Sequence, residues 1–240
     1  MGLAPRFDAR GAGNIHEGPS RNKAQRACVS AEVETTAARR RYSRAVKAYY
    51  HARAGEYDDW WLGRGRFADR ARPGWDAELA TLASALRNLP AVRTLDIACG
   101  TGFLTRHLPG EVIGLDQSQG MLELARQQAP RTGFVLSDAL ELPFAPRSFD
   151  RAFTSFFYCH LVEAERLRFL AEVRRVAGEV VILGSRPRGT EPRARWEERV
   201  LADGSRWSVY KRVFEKDELF AELGRGRLVH EGRWFVAVSA

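Results

Sequence analysis

The stretch Leu95-Asp96-Ile97-Ala98-Cys99-Gly100-Thr101-Gly102 decides the fold. An apolar run with strand character ends in small residues and two glycines, and the pattern predicts a helix beyond them to His107. Glycine lets the backbone turn sharply and lets a ligand approach where a Cβ would stand. A helix start there would present unpaired N–H groups and the positive end of a dipole, which suits a phosphate or a carboxylate. The dinucleotide fingerprint G-x-G-x-x-G is broken, because its third glycine is Thr105. Asp96, four residues before Gly100, suits the ammonium of an amino-acid moiety better than a pyrophosphate. The loop therefore favours an adenosyl amino acid, S-adenosylmethionine, over NAD.

Further along, Gly114-Leu115-Asp116-Gln117-Ser118 ends a second strand, predicted over 111–115. An acidic residue at that place can accept hydrogen bonds from both ribose hydroxyls; the plain alternative is a helix cap. Ser118 is a candidate cap for a helix containing Met121. A third strand over 133–137 runs into Ser137-Asp138-Ala139-Leu140. Asp138 is placed for an adenine amino group and Leu140 for the face of the ring, against the alternative of a solvated turn. A fourth strand, 149–155, leads into Phe156-Phe157-Tyr158-Cys159-His160. His160 is the candidate general base and Tyr158 its candidate hydrogen-bond partner. A structural hydrogen bond at a helix start competes with that role for His160. His51, Trp207 and Tyr210 are weaker candidates for contacts to an acceptor.

Strands alternate with helices at 75–88, 118–128 and 163–176, and a fifth strand is predicted at 179–184. That alternation predicts a parallel sheet covered on both faces, with right-handed crossovers. In the C-terminal third the pattern predicts a short helix at 194–201, an extended segment at 206–214 and a helix at 216–223. Two strands, 227–230 and 233–239, are predicted around Glu231-Gly232.

Asp96–Gly102, Gly114–Asp116, Ser137–Leu142 and Ser148-Phe149-Asp150 resemble the successive motifs of class I S-adenosylmethionine-dependent methyltransferases, nearest to the small-molecule type 11 group. The resemblance runs from about Tyr49 to the C-terminus. It implies an α/β, Rossmann-like, doubly wound seven-stranded sheet, mostly parallel, with one antiparallel strand from the C-terminal hairpin. It also implies that 54–58 belongs to an N-terminal helical lid (about 41–90) that lays Tyr57 against the methionine portion. The cofactor-binding set so implied is Tyr57, Asp96, Ala98, Gly100, Gly102, Asp116, Gln117, Met121, Asp138, Ala139, Leu140 and Ser155. The function implied is in-line methyl transfer to an unidentified small molecule, with S-adenosylhomocysteine as product. An RNA methyltransferase and an NAD-dependent oxidoreductase are the alternatives. The fourth strand lacks the paired prolines that nucleobase N-methylating enzymes often carry after it, which counts against nucleic acid.

The 240 residues carry a formal charge of +8, unevenly placed. Residues 1–47 hold 10 Lys/Arg and 4 Asp/Glu, and the rest hold 28 and 26. The nearly neutral remainder argues against a nucleic-acid face on the domain. Residues 1–40, rich in Gly, Arg, Ala and Ser, read as a disordered basic extension preceding a single domain at 41–240. Cys28, Cys99 and Cys159 form no C-x-x-C pair. No metal site is expected, and a reducing, cytoplasmic setting is. No run reaches the ~20 apolar residues of a membrane span, so no membrane partner is expected.

Overall fold

The structure is a computed structural model that describes residues 46–240 except Arg225. The expected extension at 1–40, Cys28 and residues 41–45 of the expected lid lie outside the described residues.

A seven-stranded sheet forms the centre, in the order β3-β2-β1-β4-β5-β9-β8. Five strands run parallel: β1 (Thr94–Ile97), β2 (Val112–Asp116), β3 (Gly133–Leu136), β4 (Phe149–Ser155) and β5 (Ala177–Ser185). β9 (Phe235–Ser239) pairs antiparallel with β5 and with β8 (Arg227–Glu231). The apolar runs explain the central positions: β1 and β9 are buried throughout, as strands covered on both faces must be. The order reverses between β1 and β4, so the ends of these neighbours open a crevice at the carboxyl edge of the sheet.

Four helices of eight or more residues are fully described: α1 (Trp75–Arg87), α2 (Gln119–Gln128), α3 (Glu163–Val176) and α4 (Lys216–Leu223). The leucine stripe of α1 faces inward, with Leu82 and Leu86 fully buried. The Ser118 hydroxyl accepts from the Met121 N–H at 3.3 Å and caps α2. Gly224, at φ +83°, ends α4 in the left-handed conformation that favours glycine.

Two predicted helices are absent. The segment after the glycine loop makes only a 3₁₀ turn, Thr105–His107. There the Thr105 hydroxyl donates back to Asp96 at 2.6 Å, and Pro109 follows too closely for a longer helix. The segment predicted as a helix at 194–201 is β6 (Ala194–Val200), which pairs antiparallel with β7 (Arg206–Arg212) as a separate two-stranded sheet. Its inward positions Arg195, Glu197 and Arg199 alternate with more exposed neighbours. The period of two was hidden because charged residues, not apolar ones, occupy the inner face.

The N-terminal segment is helical over 46–53, makes a 3₁₀ turn at Ala54–Glu56 and a single α turn at Asp59–Leu62. Its aromatic residues fasten it across the strand ends. Trp61 stacks on Phe103 at 4.9 Å and 9°, and meets Phe156 edge-on at 5.2 Å. The Trp75 indole N–H donates to the Trp61 carbonyl at 2.9 Å. Such pairs add about 0.5–1.5 kcal/mol each beyond area burial. No helix among the described residues is long and apolar enough to cross a membrane.

Candidate functional site

At the crevice beyond β1 and β4 lies a cleft of about 600 Å³, counting its open mouth. Nine of the twelve residues expected to bind the cofactor line it: Tyr57, Ala98, Gly100, Asp116, Gln117, Met121, Asp138, Ala139 and Ser155. They come from the N-terminal segment, the glycine loop, the end of β2, the first turn of α2, the turn after β3 and the end of β4.

The glycine loop is held open by its backbone. Ala98, Gly100 and Gly102 all have positive φ: +58°, +56° and +77°. Gly100 faces the cleft, where a Cβ would approach only the Tyr57 ring, at 3.6 Å. Ala98 carries a methyl group in a conformation that disfavours side chains by about 1–2 kcal/mol. Phe156, just past β4, is likewise at φ +56° and also lines the cleft. Strained residues at two neighbouring strand ends, on one cleft, are the pattern of a functional site.

Asp116 is buried at the wall. Its Oδ2 accepts from the Gly100 N–H and its Oδ1 from the Ser118 N–H, both at 2.9 Å. Burial raises its pKa, and these backbone donors oppose the rise. The carboxylate thus ties the glycine loop to the α2 start while facing the cleft, and each oxygen keeps a second lone pair. Asp138 is exposed at the mouth and accepts from the Leu140 N–H at 2.8 Å.

Three expected residues stand elsewhere. Asp96 is fully buried under the glycine loop: one oxygen takes the Thr105 hydroxyl, and Oδ1 has no partner among the described residues. Burial pushes its pKa up to about 7, with the Thr105 bond opposing and Asp116 adding to the rise. The fold-back of Thr105 keeps this carboxylate off the cleft wall. Gly102 is a packing glycine, since a Cβ there would sit 3.1 Å from the Ala125 Cα of α2. Leu140 packs against the main core and does not line the cleft.

The candidate catalytic pair is separated. His160 lines the cleft, edge-on to Tyr50 at 5.8 Å. Its Nδ1 lies 2.6 Å from the Tyr210 carbonyl, so Nδ1 carries the proton and Nε2 the lone pair. Burial holds its pKa down to about 3, although the Tyr210 carbonyl favours the charged ring. Tyr158 turns the other way: its hydroxyl meets Glu222 of α4, and its ring packs against Phe169 and Phe214. It is not the partner of His160, because the 3₁₀ turn Tyr158–His160 sends the two side chains to different sides. Burial raises the Tyr158 pKa above that of a free phenol, and Glu222 adds to the rise. His51 is exposed and outside the cleft. Trp207 packs on Tyr49 and Tyr210 on Trp196, and neither ring lines it.

Val46, Tyr50 and Leu115 also line the cleft without having been expected to, whereas Phe156 and Phe157 come from the stretch after β4 where acceptor contacts are expected. Tyr50 carried a signal in its place on the aromatic lid. The N-terminal segment is bound to the glycine loop and to α2 by Asp58, whose carboxylate accepts from the Thr101 hydroxyl at 2.6 Å and from the Gln128 amide. Among the described residues no three His, Cys, Asp or Glu side chains are grouped to hold a metal ion.

The methyltransferase-domain family of type 11 matches residues 95–180. The biotin biosynthesis bifunctional protein BioHC of Cellvibrio japonicus is 43% identical over 110 residues, 42% of this chain and 22% of that protein. A demethylmenaquinone methyltransferase of Thermotoga maritima is 38% identical over 107 residues, 41% of this chain and 46% of that protein. The chain thus spans less than half the length of these two curated relatives. The solved DhpI-SAM-HEP complex superposes with a TM-score of 0.65 at 26% identity, covering 82% of this chain and 96% of that one. Residues 95–180 are thus similar to the type 11 methyltransferase domain, and the seven-stranded sheet has the Rossmann-like fold of the methyltransferase it superposes on.

Proposed function

We propose that the chain binds S-adenosylmethionine in this cleft and transfers its methyl group to a small-molecule acceptor. One observation carries the reading: Gly100, bare of a side chain, and the Asp116 carboxylate face the same cleft at the point where the strand order reverses. A relative of similar fold, solved with SAM, supports it.

The residues present fit such a group. Gly100 and Ala98 would border its amino-acid end, Asp116 would accept from the ribose hydroxyls, and Asp138, Ala139 and Met121 would flank the base. Tyr57 closes this end of the cleft from the lid. The sulfonium supplies an electrophilic methyl carbon: a lone pair of the acceptor forms the new bond as the carbon–sulfur bond breaks, and its electron pair goes to sulfur. The protein's part is orientation and exclusion of water. Ser155, Phe156 and His160 stand where an acceptor would enter. His160 is neutral at working pH, and with a pKa near 3 it is a weak base. Its ring is thus a polar wall for the acceptor rather than its base, and an acceptor that reacts as its anion needs none.

The test is incubation of the purified full chain with methyl-labelled S-adenosylmethionine and fractionated cell extract. Label in a low-molecular-weight product is expected. Label in RNA alone, or persistent absence of transfer with every fraction, would overturn the reading.

A further inference from the structure

We propose that the methyl acceptor bears an oxyanion, a carboxylate or phosphoryl group, and that this group is held in an arginine-lined cavity next to the cofactor cleft. The inference rests on the methyl-transfer reading above and names the substrate class of that site.

The cavity, of about 1600 Å³ counting its open side, lies between the lid and the small sheet β6–β7. Eight cationic side chains line it against three carboxylates. Arg186, Arg195 and Arg199 are balanced by Glu215, Glu191 and Glu197. Arg66, Arg70, Arg72, Arg188 and Lys211 have no carboxylate within ion-pair distance among the described residues.

The four unbalanced arginines are placed by aromatic faces. Arg70 lies 4.8 Å over Phe67, Arg66 5.3 Å over the same ring, Arg72 4.4 Å over Trp75 and Arg188 5.2 Å over Trp234. A guanidinium held by its face leaves its N–H edge for a planar or tetrahedral oxyanion. Arg72 also donates to the Trp60 carbonyl at 2.5 Å. Gly63, at φ +63°, makes room for it, since a Cβ there would lie 2.3 Å from its guanidinium. Charges of one sign collected in a concave wall raise the local concentration of an anion. Burial and the neighbouring arginines 199, 66, 188 and 72 lower the pKa of Arg70, the mark of cations crowded without a counter-ion.

The cavity also lies one cavity away from the cofactor cleft. A smaller cavity, about 410 Å³ counting its open side, shares Trp60, Ser185, Arg199 and Lys211 with it, and shares Tyr50, Tyr57, Phe156 and His160 with the cofactor cleft. An acceptor anchored by its anion on the arginines would extend through this passage, past His160, to the methyl group. The concave walls and this link to the cleft favour a small anion over a polyanion.

Isothermal titration of the full chain, in the presence of S-adenosylhomocysteine, with inorganic phosphate and separately with malonate tests the proposal. Saturable binding of at least one is expected, and the tighter of the two identifies the oxyanion as phosphoryl or carboxylate. The Arg70→Gln/Arg188→Gln double variant should bind it at least tenfold more weakly, with affinity for S-adenosylhomocysteine unchanged. Arg131→Gln, an exposed arginine outside the cavity, should match the parent chain. Absence of saturable binding of both anions would overturn the proposal, as would equal binding by the double variant. Binding of an RNA oligonucleotide but of neither small anion would overturn it in favour of a polyanion. Failure to bind S-adenosylhomocysteine would instead refute the methyl-transfer reading, and the anion titration would still be scored on its own.

Discussion

Adding one methyl group at Gly100 or at Gly102 should injure the protein in two different ways. Both glycines are left-handed, at φ +56° and +77°. An alanine at either costs about 1–2 kcal/mol of backbone strain, partly offset by about 0.4–1 kcal/mol from a stiffer unfolded chain. Their surroundings differ. At Gly102 the new Cβ lies 3.1 Å from the Ala125 Cα and 3.3 Å from its carbonyl oxygen. That is helix backbone, which cannot turn aside, so overpacking adds about 1–3 kcal/mol. Gly102→Ala should therefore lose about 2–4 kcal/mol of stability. At Gly100 the new Cβ meets only the Tyr57 ring at 3.6 Å, an ordinary contact, so Gly100→Ala should lose about 1 kcal/mol or less. Its methyl group, however, stands in the cleft. A crowded ligand loses about 1–3 kcal/mol, which weakens binding about 5- to 150-fold. Urea unfolding read by tryptophan fluorescence gives the first quantity, and calorimetric titration with S-adenosylhomocysteine gives the second. If Gly102→Ala were no less stable than Gly100→Ala, or if Gly100→Ala bound the ligand as the parent does, the division of labour in the loop would be wrong.

Ala98→Gly should relieve the strain at φ +58° and raise stability by about 0.5–1 kcal/mol after the entropy cost of glycine, as read from the urea midpoint. Tyr158→Phe removes a phenol that bonds Glu222 away from the cleft; stability should fall by about 1–2 kcal/mol, while kcat/KM for methyl transfer stays unchanged. The His160 pKa is depressed to about 3, so the unfolded chain binds this proton more readily below pH 6.5. Its contribution is complete above pH 6.5 and declines as the pH falls toward 3. The stability advantage of the parent over His160→Gln, measured by urea unfolding, should accordingly shrink between pH 7 and pH 5.

The central sheet was legible chiefly from β1, β2 and β5, apolar runs that end in or just before glycine or aspartate. Phe149–Ser155 and Glu163–Val176 have the bounds that patterning predicts. The helix expected to His107 failed because Thr105 bonds to Asp96, a contact between residues nine apart that no local propensity reports. β6 was misread because its inner face is built from ion-paired Arg195, Glu197 and Arg199. Most of the lining of the cleft was legible because its residues sit at strand ends, where the motifs lie. The arginine-lined cavity was not. Outside the N-terminal 47 residues the chain is nearly neutral, and that sum hides how Arg66, Arg70, Arg72, Arg188 and Lys211 gather from three separate segments onto one wall. Net charge has no spatial content; only folding separates these cations from the carboxylates that cancel them in the count.

Titration of the full chain with S-adenosylhomocysteine, beside the same titration of Asp116→Asn and one with NADH, tests the cleft most directly. The parent should bind one equivalent saturably, Asp116→Asn should bind at least tenfold more weakly, and NADH should not saturate. Saturable NADH binding with no heat from S-adenosylhomocysteine, or an Asp116→Asn chain that binds as well as the parent, would contradict the account.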